Sequence, residues 1–244
     1  EENILERNDK QSFTDFFRLA AEKNNLSALV TEDVIDRLFV LTEHMLTVNE
    51  QFNLTAIREP SRVILLHYID SLLGARFFPE GATVIDVGCG AGFPGVPLAI
   101  ACPEAKITLL DSLAKRMNWL ETVVPALGIE NARCVTARAE EEVTKRRETY
   151  DYATSRAVAR LNILLELTAP YVKVGGKVLA MKGAAAEEEL LEAKGAIKKL
   201  GLQLEGVHTF PLDGTAHNVI VFRKVSSTPS QYPRRYSKIK QSPL

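Results

Sequence analysis

Thr83-Val84-Ile85-Asp86-Val87-Gly88-Cys89-Gly90-Ala91-Gly92-Phe93-Pro94-Gly95 is the stretch that decides the fold. Its β-branched start predicts a buried strand, and the glycines that follow allow positive φ angles and close approach of a ligand to the backbone. Pro94 suits the first turn of a helix. The free N–H groups at such a helix start bind a phosphate or an amino-acid carboxylate equally well. We therefore predict a site for an adenosine-type cofactor at residues 84–95.

Beyond this stretch, short β-branched runs alternate with amphipathic stretches, which predicts an α/β fold with a mostly parallel sheet. The predicted strands are TVIDV, KITLLD, ARCVTA, YDYATS, GKVLAMK and two late runs at residues 202–209 and 218–222. The predicted helices cover residues 94–101, 113–127, 139–147, 161–172 and 185–200. The last two strands have no helix between them, so we expect an antiparallel hairpin at the sheet edge.

The first part of the chain predicts helices alone. Two sets of apolar residues recur there at helical spacing: Phe13, Phe16, Phe17 and Ala20, and then Val34, Leu38, Leu41, Met45 and Val48 behind the capping residue Thr31. We therefore divide the chain into an N-terminal helical cap (1–80), a cofactor-binding domain (81–225) and a basic C-terminal tail (226–244). The tail is rich in Ser, Pro and Gln, and we expect little regular structure in it.

The composition limits the classes of protein that the chain can belong to. It is 46% hydrophobic and 25% charged with a net charge of -1, which is typical of a globular protein and argues against nucleic-acid binding over the whole surface. Cys89, Cys102 and Cys134 predict neither disulfides nor a zinc site, and they fit a reducing cytoplasm. Glu1, Glu2, Glu6 and Arg7 argue against a secretory signal. We expect a cytoplasmic protein without a metal or a membrane as partner.

Two cofactors compete for the glycine turn. Residues 90–95 satisfy the dinucleotide pattern G-x-G-x-x-G, with Asp111 about 20 residues further on, so NAD(P) or a flavin dinucleotide is one candidate. Asp86 favours S-adenosylmethionine instead, because a carboxylate attracts its ammonium group and repels a pyrophosphate. Asp111 ends the second predicted strand, where it would accept hydrogen bonds from ribose hydroxyls in either case. Glu140 opens a later helix and either contacts the adenine edge or is an ordinary first-turn acid.

Further segments carry a resemblance to a known family. In chain order they are Asn53-Leu54-Thr55-Ala56, His67-Tyr68-Ile69-Asp70-Ser71-Leu72, residues 86–95, Asp111-Ser112 with Lys115-Arg116, Arg138-Ala139-Glu140, Ser155-Arg156-Ala157, Lys182-Gly183 and Tyr232-Pro233-Arg234. With these segments the chain resembles the bacterial 16S ribosomal RNA guanine-N7 methyltransferases, the RsmG family, also called glucose-inhibited division protein B. The resemblance spans most of the chain.

The resemblance implies a Rossmann-like class I methyltransferase sheet, S-adenosylmethionine as methyl donor, and a guanine of 16S ribosomal RNA, free or in the small-subunit particle, as acceptor. Carried over position by position, it implies the cofactor-binding residues Gly88, Gly90, Phe93, Asp111, Ala139, Glu140 and Arg156. The chain departs from the family pattern at Val48-Asn49, where Trp-Asn is usual. It departs again at residues 235–240, where a stretch containing Gly and Pro usually follows Tyr-Pro-Arg.

The chemistry that the resemblance implies needs little acid or base. Guanine N7 carries a lone pair and no proton, so we assign no catalytic residue. Alignment of N7 with the methyl group could supply about 7–11 kcal/mol of the barrier. Arg156 and Lys182 end predicted strands at the ligand-binding edge of the sheet, where each either faces a ligand or is an ordinary paired or solvated cation. We interpret His67 as a core or capping histidine, and Cys89 as a small space-filling residue.

The tail supports a hypothesis about RNA. After Asp213 the chain has no acidic residue, and its cations and tyrosines are Arg223, Lys224, Tyr232, Arg234, Arg235, Tyr236, Lys238 and Lys240. Such a segment either tracks RNA phosphates and stacks on bases or is a solvated tail. We interpret residues 145–147 and 198–199 as solvated helix faces. Two other function classes stay open from the residues alone: an NAD(P)-dependent oxidoreductase and a non-catalytic RNA-binding module.

Overall fold

The computed structural model describes residues 9–51 and 53–244, so the four N-terminal charges that argue against a signal lie outside it. Its strands are β1 (Thr83–Val87), β2 (Lys106–Asp111), β3 (Ala132–Thr136), β4 (Tyr150–Arg156), β5 (Val172–Lys182), β6 (Leu202–Leu212) and β7 (Thr215–Lys224). They form one sheet in the order β3-β2-β1-β4-β5-β7-β6. Strands β1 to β5 are parallel, whereas β7 is antiparallel to β5 and β6. The predicted fold class and edge hairpin are confirmed.

Helices precede the sheet and alternate with its strands. They are α1 (Lys10–Lys23), α2 (Glu32–Asn49), α3 (Pro60–Val63), α4 (Asp70–Leu72), α5 (Gly95–Ala101), α6 (Ala114–Ala126), α7 (Ala139–Arg146), α8 (Leu161–Thr168), α9 (Ala186–Glu192), α10 (Lys194–Lys199) and α11 (Tyr236–Gln241). A π-helical segment, Ile64–Ile69, joins α3 to α4. The helix predicted at residues 185–200 is divided at Ala193, and the one predicted at 161–172 ends at Thr168 in the 3-10 turn Ala169–Tyr171.

Both faces of the sheet are buried at the central strands β1, β2 and β4, as is typical of parallel sheets, whereas the edge strands β3 and β6 are more exposed. Val84 of β1 belongs to the core on one face, together with α1, α2, α5 and α6. Ile85 points to the opposite core, together with α8 and α10. The N-terminal helices thus share an apolar core with the sheet. The division at residue 80 stays a prediction.

The C-terminal tail is more ordered than its composition predicts. The expectation of little regular structure was wrong for α11, because Ile239 is fully buried there and Tyr232 is 8% exposed. The Arg234 guanidinium and backbone N–H also donate three hydrogen bonds, of 2.6 to 2.9 Å, to the fully buried carboxylate of Glu166 on α8. Apolar contacts and a buried ion pair therefore fix the tail to the opposite core.

Gly95 provides a test of the turn that follows β1. A Cβ at this position would overlap Cδ2 of Leu109 and lie 2.8 Å from Oδ2 of Asp86. We expect Gly95→Ala to lower the free energy of unfolding by about 1–3 kcal/mol, since overpacking must displace the core. Chemical denaturation measures the effect.

Gly74→Ala is the matched control, because its Cβ would meet only the carbonyl oxygen of Ser71 at 3.6 Å. This substitution should leave the free energy of unfolding unchanged or raise it by up to about 1 kcal/mol. Equal stability of the two variants would show that a Cβ fits at Gly95, contrary to the structure.

Candidate active site

The glycine turn after β1 is closed by a buried carboxylate. Gly88, Gly90 and Gly92 have φ angles of 73°, 57° and 93°, in the region that glycine tolerates best. Asp86 is fully buried, and its Oδ2 accepts a hydrogen bond of 2.7 Å from the backbone N–H of Gly95. Burial raises the pKa of Asp86 to about 7. Asp86 therefore supports the turn through this hydrogen bond. It is not among the residues that line the cavity beside the turn. Its predicted contact with an ammonium group stays a prediction.

Asp111 connects the same turn to β2. Its Oδ2 accepts a hydrogen bond of 2.9 Å from the N–H of Gly90, and its Oδ1 accepts one of 2.9 Å from the N–H of Leu113. A carboxylate has about four lone-pair sites, so each oxygen can accept one more hydrogen bond. Asp111 thus holds the turn and still offers acceptors to a ligand.

Two cavities lie at the carboxyl ends of the strands. We call the first the turn cavity; it measures about 390 Å³, and residues lining it include Gly88, Asp111, Leu113, Ala139, Glu140 and Tyr236. We call the second the arginine cavity; it measures about 470 Å³, and residues lining it include Arg62, Asp70, Arg156, Lys182, Glu189 and His217. Ala157 lines both cavities and has a φ of 55°, unusual for a residue other than glycine. The cavities are therefore neighbours.

The predicted cofactor residues fall into three groups. Gly88, Asp111, Ala139 and Glu140 line the turn cavity. Gly90 reaches it through its hydrogen bond to Asp111. Arg156 instead lines the arginine cavity, and Phe93 is buried beneath it, with the Arg156 guanidinium carbon 5.3 Å from the ring centroid.

Arg156 is held from several sides. Its Nη1 donates to the carbonyl oxygen of Leu66 at 2.7 Å and to Oδ2 of Asp70 at 2.8 Å, while its Nη2 lies 3.0 Å from Nδ1 of His67. An arginine only donates, so Nδ1 of His67 accepts and the imidazole proton is on Nε2. That nitrogen lies 2.9 Å from Oγ1 of Thr55 and donates to it. The His67 tautomer is thereby fixed.

His67 is a neutral core residue, as predicted. It is 7% exposed, and its ring stacks on Phe93 with centroids 4.3 Å apart. Burial, with the nearby charge of Arg156, lowers the pKa of His67 to about 3. Arg156 therefore faces the arginine cavity without a second positive charge behind it.

Asp70 and His217 are site residues that the sequence reasoning missed. Oδ1 of Asp70 lies 2.9 Å from Nδ1 of His217, and its Oδ2 accepts from Arg156. Burial works to raise the pKa of Asp70, but His217 and Arg156 together outweigh it and lower that pKa. The quoted segment that contains His67 also contains Asp70, so the family resemblance carried a signal for Asp70. His217 lies 147 positions away in the sequence and had no local signal.

Other cations predicted to be free or solvated are paired. Nζ of Lys182 lies 2.6 Å from Glu189 and 2.7 Å from the carbonyl oxygen of Ala159. Arg147 was expected on a solvated helix face; it instead donates to the carbonyl oxygens of Thr228 and Tyr232 in the tail, at 2.9 and 2.8 Å. That expectation was wrong for Arg147, since its long-range hydrogen bonds to the tail leave it partly buried.

Among the described residues around the site there is neither an activated thiol nor a metal-binding cluster. Cys89 is 2% exposed, and burial raises the pKa of its thiol well above the ordinary value, so it fills space and does not act as a nucleophile. Within residues 9–51 and 53–244 no cluster of His, Cys, Asp and Glu has the arrangement of a metal site. Over the same residues, every helix is too short or too polar to span a bilayer.

The sheet order, the glycine turn and the turn cavity define an α/β protein with the fold of S-adenosylmethionine-dependent methyltransferases. M. jannaschii TYW2, solved in complex with AdoMet, superposes with a TM-score of 0.54 at 16% identity, over 64% of this chain and 74% of that one. A SAM-dependent methyltransferase from Aquifex aeolicus gives 0.53 at 20% identity, over 68% and 94%. At such identities the likeness shows the fold.

Sequence comparison identifies the family. The family model GidB, described as rRNA small subunit methyltransferase G, matches residues 35–217. Ribosomal RNA small subunit methyltransferase G of Clostridium perfringens is 42% identical over 219 residues, which cover 87% of this chain and 92% of that protein. The protein of the same name from Desulfitobacterium hafniense is 41% identical over 231 residues, 93% and 95% of the two chains. The chain belongs to the GidB family. The predicted resemblance, methyltransferase class and cofactor are confirmed.

The buried, neutral His67 predicts an acid-dependent loss of stability. Its pKa is about 3 in the folded protein and about 6.5 when unfolded. The unfolded chain therefore binds more protons between these values, and the free energy of unfolding falls as the pH falls through this window. We expect His67→Gln to reduce the loss between pH 6.5 and 4.5 by roughly 2 kcal/mol. Denaturant titrations at the two pH values measure it.

Asp86 acts in the opposite sense, because its raised pKa makes the folded protein bind more protons between about pH 4 and about 7. This contribution is present in the parent and in the variant, so it cancels in their difference. His44→Gln, at an exposed position on α2, controls for removal of a histidine as such. An equal loss of stability in the parent and in His67→Gln would show that His67 is protonated in the folded state.

Proposed function

We propose that this chain transfers the methyl group of S-adenosylmethionine to N7 of a guanine in 16S ribosomal RNA. The cofactor would occupy the turn cavity and the guanine the arginine cavity. The observation that carries the proposal is the contact between these two cavities at Ala157, in a chain of the GidB family. A methyl donor and a base bound on either side of Ala157 would be neighbours.

The residues of the turn cavity fit S-adenosylmethionine. A Cβ at Gly88 would overlap Cγ2 of Val158, so only glycine fits at this position without displacement of Val158. Asp111 has spare acceptor capacity for the two ribose hydroxyls, and the Ala139-Glu140 pair opens α7 beside the adenine position. When bound, S-adenosylmethionine supplies an electrophilic methyl group on a sulfonium. We propose that Gly88, Gly90, Asp111, Ala139 and Glu140 hold it, with Glu140 also a first-turn acid of α7.

The arginine cavity would orient the acceptor. Guanine N7 attacks through a lone pair, so no side chain has to remove a proton first. What the protein supplies is alignment, which could contribute about 7–11 kcal/mol. Arg156 offers a guanidinium that is fixed by Asp70 and His67, and fixed donors suit O6 of a guanine, which leaves the N7 lone pair free, or a phosphate beside the base. Arg156 would thus contact the guanine, with its guanidinium packed on the ring of Phe93.

The three predicted segments would divide this work. Residues 1–80 would act as a cap that supplies His67 and Asp70 behind Arg156. Residues 81–225 would hold the cofactor, and residues 226–244 would contribute cations at the surface. The oxidoreductase and the non-catalytic binding module are not favoured, because the family consists of methyltransferases.

The names of the relatives suggest the RNA partner of this chain. The relatives are named for ribosomal RNA of the small subunit. We propose 16S RNA, free or within the small-subunit particle, as the partner of this chain, and the cytoplasm as the place where it meets that RNA. No metal ion is required, because N7 needs neither a Lewis acid nor an activated water to attack a methyl group.

Methyl transfer tests the proposal directly. The protein is incubated with labelled S-adenosylmethionine and small-subunit RNA that lacks the modification, and label should appear on N7 of one guanine. We expect Gly88→Ala to abolish transfer and to weaken binding of S-adenosylhomocysteine at least a hundredfold, because the added methyl group would have to displace Val158. Isothermal calorimetry measures the binding.

The same Gly74→Ala variant controls for the addition of a methyl group elsewhere, and its transfer rate should match that of the parent. The substrate assignment would be refuted if the parent bound S-adenosylhomocysteine and yet left both free RNA and small-subunit particles unlabelled. Binding of NAD in place of S-adenosylhomocysteine would refute the cofactor.

The exposed cations of the tail predict a salt effect on RNA binding. Arg235, Lys238 and Lys240 are exposed, whereas Lys224 is fully buried and Arg234 is paired with Glu166. We expect replacement of the three exposed cations by alanine to weaken RNA binding. The slope of log affinity against log salt should become shallower by up to about 2, at about 0.7 for each lost phosphate contact.

Three exposed lysines of α10, Lys194, Lys198 and Lys199, give a control that removes the same charge. Filter binding over a range of salt concentrations compares the two triple variants with the parent. A shallower slope in both variants, or in neither, would contradict a phosphate-contacting role for the tail.

A further inference from the structure

The C-terminal tail reaches the turn cavity. Tyr236, the first residue of α11, is half-buried and lines this cavity together with Asp111, Leu113 and Glu140. Tyr236 also lines an adjoining groove, together with Arg138, Glu140 and other residues of the tail. Tyr236 therefore forms part of the cavity wall, and this part of the wall comes from the tail and not from the sheet.

The position of Tyr236 is fixed from both sides. Two residues before it, Arg234 makes its three hydrogen bonds to the buried carboxylate of Glu166. Three residues after it, Ile239 is fully buried, and its N–H donates to the carbonyl oxygen of Arg235 at 3.1 Å. The contacts on both sides therefore hold Tyr236 in place at the cavity.

The cavity has the chemistry of an adenosine site at this end. Asp111 supplies acceptors for ribose hydroxyls, and Glu140 supplies an acceptor at the base edge. A flat purine then needs an apolar or aromatic surface against its face. Tyr236 offers an aromatic surface, and Leu113, which is 52% exposed, offers an apolar one in the same cavity.

We infer that Tyr236 contacts the adenine face of S-adenosylmethionine, so that the tail completes the cofactor site. The inference rests on the proposed function, since it assumes that the turn cavity holds this cofactor. It assigns Tyr236 a role different from base stacking on RNA. It also gives residues 235–240, which depart from the family pattern, a function at the cofactor.

Calorimetry with S-adenosylhomocysteine and 5′-methylthioadenosine tests the contact. Tyr236→Ala should weaken binding of both ligands by about tenfold, because both carry the adenine and loss of stacking on one base typically weakens binding by roughly fivefold or more. Tyr236→Phe keeps the ring and should stay within twofold of the parent. Gln241→Ala, exposed on the same helix, is the control and should bind both ligands like the parent.

Tyr236→Leu decides the matter if alanine displaces the tail, because leucine keeps an apolar side chain against the core and removes only the ring. A fivefold or larger weakening of 5′-methylthioadenosine supports a ring contact, and affinity within twofold of the parent overturns it. Loss of RNA affinity with unchanged ligand affinity also overturns it in favour of stacking on RNA. Failure of the parent to bind S-adenosylhomocysteine would instead refute the proposed function.

Discussion

One hydrogen bond, from the N–H of Gly95 to the buried Oδ2 of Asp86, closes the turn on which the cofactor half of the site depends. It joins the end of β1 to the start of α5 across nine positions, and the glycines of the turn lie between its two ends. Gly95 has no room for a side chain because Asp86 and Leu109 occupy the space of its Cβ. Burial raises the pKa of Asp86 to about 7, so the carboxyl group that closes the turn is costly to ionise.

Arg156 has a comparable place in the other half of the site. It stands at the end of β4, yet its hydrogen bonds go to Leu66, His67 and Asp70 in the N-terminal helices. The helical segment is therefore connected to the sheet by a buried charge network as well as by the apolar core. Removal of one partner from such a network leaves an uncompensated charge, which typically costs about 3–5 kcal/mol. Orientation of the arginine cavity thus depends on residues far away in sequence.

The sequence was sufficient for the features that depend on local pattern. Strand, turn and helix at residues 83–101 follow from β-branched residues, glycines and proline, and the parallel-sheet rule then brings Asp111 and Ala139-Glu140 to the same edge. It was insufficient for pairings over long separations. Asp70 meets His217 across 147 positions, and Arg234 meets Glu166 across 68, and neither pair has a local signature. Asp86 was placed in the correct strand, but its hydrogen bond to the N–H of Gly95, nine positions away, was not predicted, and its contact with the ammonium group of S-adenosylmethionine stays a prediction.

The cations that follow Asp213 show why a count of positive charges overstates an RNA-binding surface. Lys224 is fully buried, and its Nζ donates to the carbonyl oxygens of Ala169 and Val172 and lies 3.1 Å from Glu148. Burial lowers the pKa of this lysine, while Glu148 works against the loss of its charge. Arg234 is likewise taken up by Glu166. Glu148 and Glu166 both precede these cations in the sequence, so part of the positive charge at the end of the chain neutralises the protein's own acids. The cations left at the surface are fewer, and they are held on an anchored helix whose other face is buried or borders the turn cavity. An RNA that contacts them therefore meets an ordered surface, and the ordering entropy that a flexible basic tail would lose on binding has already been lost on folding.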